Sequence, residues 1–208
     1  MTSSGAASLN DPSSLSRPQL RRLLRTARRA LNRAEQRRAA QGLYRQLAQN
    51  PLFRRARHIC LYLPMDGEID PRLLLGEAQR RGKATYLPVL SAWPRTKMVF
   101  QRVQPGDRFR PNRFRISEPR FNPRQQRKIW ALDLILMPLV GFDDQGGRLG
   151  MGGGFYDRSL AYQARRKGWQ KPVLLGLAHE CQKVAKLAVA SWDVPLQGTV
   201  SDKRWYLA

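Results

Sequence analysis

The sequence predicts an α/β domain with a mainly parallel sheet and an N-terminal helical arm, and three observations carry that expectation. HICLYLP (58–64), a helical segment after Asp70-Pro71 and ATYLPVL (84–90) read as a strand–helix–strand unit, which joins parallel neighbours. LDLILMPLV (132–140) and VLLGLAH (173–179) are continuous apolar runs, as expected of strands buried on both faces. Near the N-terminus, Leu20, Leu23, Leu24, Ala27 and Leu31 recur at helical spacing, with arginines filling the other face.

The elements follow in order. Residues 1–15 are small and polar, with no basic and apolar regions of a secretory leader, and read as a disordered tail ahead of a single domain over 16–208. Ser16 is the expected N-cap of the first helix, with Pro18 in its first turn. Asn32 and Glu35 form a capping-box pattern for a second helix, running to about Asn50 before Pro51. The helix opened by Asp70-Pro71 should stop at Gly82, the C′ position. KMVFQRV (97–103) reads as a strand and the basic, proline-punctuated stretch 108–128 as loop. FYDRSLAYQARRKG (155–168) carries Leu160 and Ala164 at helical spacing, and a last short strand falls near Thr199 and Val200.

Composition narrows the classes. At 208 residues and 42% hydrophobic the chain can bury one ordinary core, and no apolar run approaches the roughly eighteen residues of a membrane span. Cys60 and Cys181, each in an apolar segment, read as small buried hydrophobes, in keeping with a reducing cytoplasmic setting. The formal charge of +23 raises the question of nucleic acid. The basic residues are spread along the chain, however, without zinc-finger spacing or an aromatic RNA-binding strand, a pattern that also suits a solvated surface or an enzyme of anionic substrates.

One motif asks for chemistry. RLGMGGGFYDR (148–158) places Gly150, Gly152, Gly153 and Gly154 between a buried parallel strand and a helix, at the sheet edge where open α/β folds take ligands. Unblocked amides there can hold phosphate oxygens. The spacing is neither that of a Walker A loop nor that of a dinucleotide fingerprint, so the glycines alone fit a structural turn equally well. Arg148 adds a charge that can neutralise phosphate. Asp157, on the first helical turn, could carry Mg²⁺ through a carboxylate oxygen or could simply complement the helix dipole.

This loop resembles the signature of the 5-formyltetrahydrofolate cyclo-ligase family, also called 5,10-methenyltetrahydrofolate synthetases. YLPMDGEID (62–70), RGKATYLPV (81–89), LDLILMPLVGFDDQGGRLG (132–150), AHECQ (178–182) and SWDVPLQGTVSD (191–202) resemble family blocks in family order, so the likeness spans about residues 16–206. It implies the fold of sugar-phosphate isomerases and CoA transferases, a three-layer sandwich. It implies ATP-dependent closure of 5-formyltetrahydrofolate to 5,10-methenyltetrahydrofolate, with ATP as co-substrate and Mg²⁺ as cofactor. The formyl oxygen of an amide leaves poorly; phosphorylation by ATP activates it, folate N10 attacks, and phosphate departs.

Carried over by position, the resemblance assigns nucleotide contacts to Arg148, Leu149, Gly150, Met151, Gly152, Gly153, Gly154, Phe155 and Tyr156. Arg148 and Tyr156 take the catalytic positions. It assigns folate contacts to Leu63, Glu68 and part of the loop, Met151 to Phe155, and Mg²⁺ contacts to Asp157 and Asp193. The chain departs from the family in two places: Phe155 stands where many members have tyrosine, and Arg17 where many have lysine. Arg17 and Arg21, one turn apart, would reach the triphosphate if the arm folds back over the loop. His179 is expected as a pocket or core histidine, and His58 as no more than the start of a strand. The expected partner is the folate itself, including polyglutamylated forms, with no membrane or nucleic acid, in a monomer or weak dimer. The competing readings are a basic RNA-binding protein and a phosphosugar isomerase-like enzyme on the same fold.

Overall fold

The computed structural model describes residues 15–91, 96–111, 117–162, 171–188, 190 and 193–207. The tail expected over 1–15 therefore lies, Leu15 apart, outside the described residues, as do Ala164 and Trp192.

An eight-stranded sheet organises the chain. The strands are β1 (His58–Cys60), β2 (Ala84–Leu90), β3 (Met98–Val103), β6 (Gln126–Arg127), β7 (Leu134–Pro138), β10 (Val173–Ala178), β11 (Gly198–Ser201) and β12 (Trp205–Leu207). Their spatial order is β12-β11-β10-β7-β1-β2-β3-β6. The inner run from β11 to β2 is parallel, and the strands outside it pair antiparallel. Two small hairpins stand apart, β4 (Phe109–Pro111) with β5 (Ser117–Pro119) and β8 (Gly141–Phe142) with β9 (Arg148–Leu149).

Strand β7 shows why its run is unbroken. Leu134 and Leu136 join one buried cluster with Leu43, Leu47 and Phe53, whereas Ile135 and Met137 join the opposite one with Phe100, Phe142 and Leu160. Side chains alternate across a strand, so covering both faces requires apolar residues at every position. Helices α2 (Arg33–Leu47), α3 (Pro51–Arg55) and α4 (Arg72–Arg80) supply the first cover, and α5 (Phe155–Leu160) contributes to the second.

Helix α1 (Arg17–Ala30) opens with a capping box between Ser16 and Gln19, and α2 with the Asn32–Glu35 box. Both helices lie against the body. Leu20 and Leu24 pack with Val140, Leu149, Val184 and Leu187, and Gly141 is the seat: a Cβ there would collide with the Leu24 side chain. Gly82, at φ +68°, follows α4 as its stop.

Several boundaries differ from the sequence reading. The first strand ends at Cys60: the Leu61 amide still donates to the Tyr86 carbonyl at 3.0 Å, and Tyr62 to Pro64 then form the loop that reaches Glu68. The second helix ends at Leu47, and Asn50 caps a separate short helix with Pro51 at its start. The stretch 108–128 carries β4, β5 and β6 besides loop. Hairpin β8–β9 intervenes between the apolar run and the glycines. Cys181 is exposed, unlike Cys60.

Candidate active site

Strands β1, β7 and β10 run parallel, so their carboxyl ends open on one edge of the sheet. Three segments meet there: the loop after β1 with Glu68, the glycine loop that follows hairpin β8–β9, and the turn after β10 with His179. Helix α1 lies across them.

The loop after β1 turns at Asp66 and Gly67, with φ +53° and +75°. The Tyr62 hydroxyl closes it by donating to the Ile69 carbonyl at 2.7 Å. Glu68 is buried, 8% exposed, and accepts from the Met65 amide at 3.2 Å. Burial pushes its carboxyl up to about 7, against the opposing pull of Arg28 and the Met65 amide. Leu63 on the same loop is half-buried.

Arg148 on β9 turns inward. It is 9% exposed, forms an ion pair with Asp157 and approaches the Met137 sulfur at 2.9 Å. The backbone then runs bare through Gly150 to Gly154, with Met151 exposed. Gly152 and Gly154 sit at φ +96° and +61°, where side chains are strained. Arg158 ties the end of the loop down by donating to the Gly153 carbonyl at 2.6 Å and the Thr96 carbonyl at 2.9 Å.

Phe155 begins α5, and its ring lies under the Arg158 guanidinium at 5.2 Å. The Tyr156 hydroxyl is buried with no hydrogen-bond partner among the described residues. Burial holds its phenol well above the usual range, and Cys60 and Glu68 push it the same way, so the hydroxyl keeps its proton. A buried, protonated donor without an acceptor is a demand for one.

The segments that carry the two carboxylates read as metal ligands meet. Asp157 accepts from the Val194 amide at 3.3 Å, which brings the residue after Asp193 to its side. Asp193 in turn accepts from Arg17 at 3.0 Å and from the Ala190 amide at 3.0 Å. Arg21 donates to the Gly150 carbonyl at 2.8 Å. The first turns of α1 thus reach both the glycine loop and Asp193.

The sequence reading missed Arg28. It belongs to the arginines assigned to a solvated face, yet it is 0% exposed and lies between the loops: its Nη2 is 3.7 Å from Glu68 and 3.9 Å from the Met151 sulfur. One guanidinium thus stands between Glu68 and the glycine loop, which are far apart in sequence. The signal was present in the helical spacing, since Leu20, Leu24 and Arg28 share one face. His179 is 2% exposed and donates from Nε2 to the Gly67 carbonyl at 3.2 Å, while Nδ1 has no partner among the described residues. Burial lowers its pKa, so it is neutral near pH 7. His58 is half-buried beside the Tyr86 hydroxyl, away from these groups.

A cavity of about 420 Å³ lies elsewhere, lined by Arg102, Arg108, Arg120 and Phe121 among others. It brings none of the residues above together.

The sequence matches the 5-formyltetrahydrofolate cyclo-ligase family over residues 13–202. It is 37% identical to the 5-formyltetrahydrofolate cyclo-ligase of Escherichia coli over 184 residues, 88% of this chain and 98% of that protein. It is likewise 37% identical to the Haemophilus influenzae enzyme of the same name, over 86% and 94% of the two chains. The fold superposes on the Aquifex aeolicus 5,10-methenyltetrahydrofolate synthetase with a TM-score of 0.78 at 28% identity, covering 93% of each chain. The parallel sheet, the glycine loop at its carboxyl edge and these likenesses lead to one conclusion: the chain belongs to the 5-formyltetrahydrofolate cyclo-ligase family.

Proposed function

We propose that the protein closes 5-formyltetrahydrofolate to 5,10-methenyltetrahydrofolate with ATP, releasing ADP and phosphate, as a step of folate one-carbon metabolism. The observation that carries this reading is the buried Arg28 standing between the Glu68 carboxylate and the bare glycine loop, with the Tyr156 hydroxyl at the end of that loop lacking a partner among the described residues, in a chain of this family.

The roles follow from the chemistry. Arg17, Arg21, Arg148 and the stretch Leu149 to Tyr156 take the nucleotide, since bare backbone admits phosphate oxygens that a side chain would exclude. Leu63 and Glu68, with Met151 to Phe155, take the folate; a carboxylate pairs well with the N–H edge of a pterin. Tyr156 offers its hydroxyl to the oxygen that accepts the phosphoryl group, and Arg148 balances the charge that develops there. Asp157 and Asp193 suit Mg²⁺, which binds through one or two carboxylates and fills its shell with phosphate and water; no cluster of three or more metal-ligating side chains exists among the described residues. Each carboxylate pairs with a guanidinium, Asp157 with Arg148 and Asp193 with Arg17, a charge that a bound cation would replace. Bound there, Mg²⁺ would neutralise the triphosphate.

The layered sheet supports kinship with sugar-phosphate isomerases and CoA transferases, with α1 and α2 as the arm that completes the site. The substrate is a small molecule, polyglutamylated folate included, in a cytoplasmic monomer or weak dimer. No helix among the described residues is long and apolar enough to cross a membrane. The RNA-binding alternative loses ground because five arginines of α1 (17, 21, 25, 28 and 29) bond inward to the protein.

Purified protein with MgATP should convert 5-formyltetrahydrofolate to a product with the near-ultraviolet absorbance of a methenyl bridge, with one ADP per product. ATP hydrolysis indifferent to folate, or no turnover, refutes the reading. Asp157→Asn and Asp193→Asn should each raise the Mg²⁺ concentration needed for half-maximal rate.

A further inference from the structure

Asp66 is the one non-glycine residue at positive φ among the described residues. Such a conformation persists where the surroundings over-determine it. Here they do. Arg28 Nε donates to the Asp66 carbonyl at 2.8 Å, while the Gly67 carbonyl accepts from His179 at 3.2 Å and from Gln36 at 3.4 Å. The Asp66 carboxylate accepts from Arg25 at 2.7 Å and from Arg28 Nη2 at 3.0 Å, and pairs with Arg29 as well. Gly67 must stay bare, because a Cβ would lie 3.1 Å from the Arg28 carbonyl oxygen.

The same Arg28 Nη2 stands 3.7 Å from Glu68 Oε1, outside hydrogen-bond reach. Its remaining nitrogen, Nη1, donates to the Leu139 carbonyl at 3.2 Å. The half-buried Asp66 and the buried Glu68 therefore compete for one guanidinium, and Asp66 holds it. The other groups facing Glu68 are Tyr156 from α5, Tyr62 from the loop after β1, and the Met65 amide with Asp66 on its own turn. Among the described residues none but the Met65 amide donates to it, which leaves acceptor capacity for N–H donors of a ligand.

We infer that Asp66 and Arg28 are positioning residues: Asp66 clamps Arg28 so that the turn presents Glu68, with its carboxylate unbonded by that cation, to the folate. This rests on the assignment of Glu68 to folate made above. Without the Asp66 charge, Arg28 closes on Glu68 and the substrate must displace it.

Asp66→Asn removes the charge while keeping a residue that tolerates the left-handed region, and Asp66→Gly serves as a second variant that relieves the backbone should the first fold poorly. The affinity for 5-formyltetrahydrofolate without nucleotide, the KM values for folate and ATP, and kcat/KM for folate from pH 5.5 to 8.5 are the readouts. The expected result is a folate KM raised about tenfold with the ATP KM within about twofold. The acid limb of kcat/KM should also move to lower pH, since losing a neighbouring anion and gaining a cation both favour ionised Glu68. A purely structural role would not move that limb. Variants with the parent's folate KM and pH limb, or with equal losses for both substrates, overturn the inference alone. A parent that binds no 5-formyltetrahydrofolate refutes the functional reading and this inference with it.

Discussion

Arg21 donates from Nε to the carbonyl oxygen of Gly150 at 2.8 Å, across 129 residues of sequence. One turn earlier Arg17 reaches Asp193, and two turns later Arg28 reaches the Asp66 turn. Helix α1 therefore spans the candidate site along one face, with its first turns at the glycine loop and Asp193 and its last beside Glu68.

That placement predicts a division of labour. Arg21→Ala should raise the KM for ATP about tenfold, the equivalent of about 1.4 kcal/mol, with the folate KM within about twofold. Arg17→Ala should act in the same direction. Arg22→Ala, an exposed position on the same helix, should match the parent. Steady-state kinetics with each substrate varied in turn checks all three; parent-like values for Arg17→Ala and Arg21→Ala would remove α1 from nucleotide binding.

The glycine loop predicts a contrast between two alanines. A Cβ at Gly150 meets nothing within 4 Å, and its φ lies outside the left-handed region. Gly150→Ala should leave the unfolding midpoint nearly unchanged, within about 0.5 kcal/mol, yet weaken ATP, because only a bound phosphate needs that space. Gly152→Ala forces an L side chain to φ +96° and should cost about 1–2 kcal/mol before any ligand is added. Thermal melts with and without MgATP separate the two effects. If Gly150→Ala leaves ATP affinity intact, the bare backbone serves the turn and not the nucleotide.

Tyr156 predicts a trade of stability against rate. Its hydroxyl is buried with no acceptor among the described residues, so Tyr156→Phe should stabilise the free protein by about 1 kcal/mol. The same change should lower kcat at least about tenfold if, as proposed, this hydroxyl donates to the reacting oxygen. Equilibrium denaturation and turnover on one preparation measure both. A variant that is less stable and fully active would assign the hydroxyl a hidden structural partner and no role in the reaction.

Glu68 predicts a pH dependence of stability with a definite sign. Burial raises its carboxyl from 4.5 to about 7 in the fold, so between those values the folded chain holds a proton the unfolded chain has lost. Stability from this group is full below about pH 4.5 and falls as pH rises towards 7. A tenfold difference in proton affinity is worth about 1.4 kcal/mol, so the whole effect is on the order of 3 kcal/mol. Glu68→Gln removes it: relative to the parent, the variant should gain stability steadily from pH 4.5 to 7 and then level off. A constant difference across that range would place Glu68 in solvent. Folate affinity should fall in Glu68→Gln by far more than ATP affinity.

The parallel core and the glycine loop were legible in the chain because their causes are local. An unbroken run such as Leu134 to Met137 has no polar position to face water, and the capping patterns at Ser16 and Asn32 are completed within four residues. Strand ends were less legible. Tyr62 to Pro64 read as strand because they are apolar, but that character serves burial in a loop, which periodicity alone does not distinguish from a ladder.

What the sequence could not carry is the fate of individual arginines. Arg22 and Arg28 look alike on the helix, and helical spacing says which face each occupies but not what lies against that face. Sequence alone determined that α1 is amphipathic, that β7 and β10 are buried strands, and that a bare loop bearing Arg148 and Asp157 stands beyond them. Only the tertiary structure decided that the Arg28 face of α1 closes on the Asp66 turn, since an arginine is stable at 0% exposure only where carbonyls and carboxylates from distant segments converge to meet every arm of its fork.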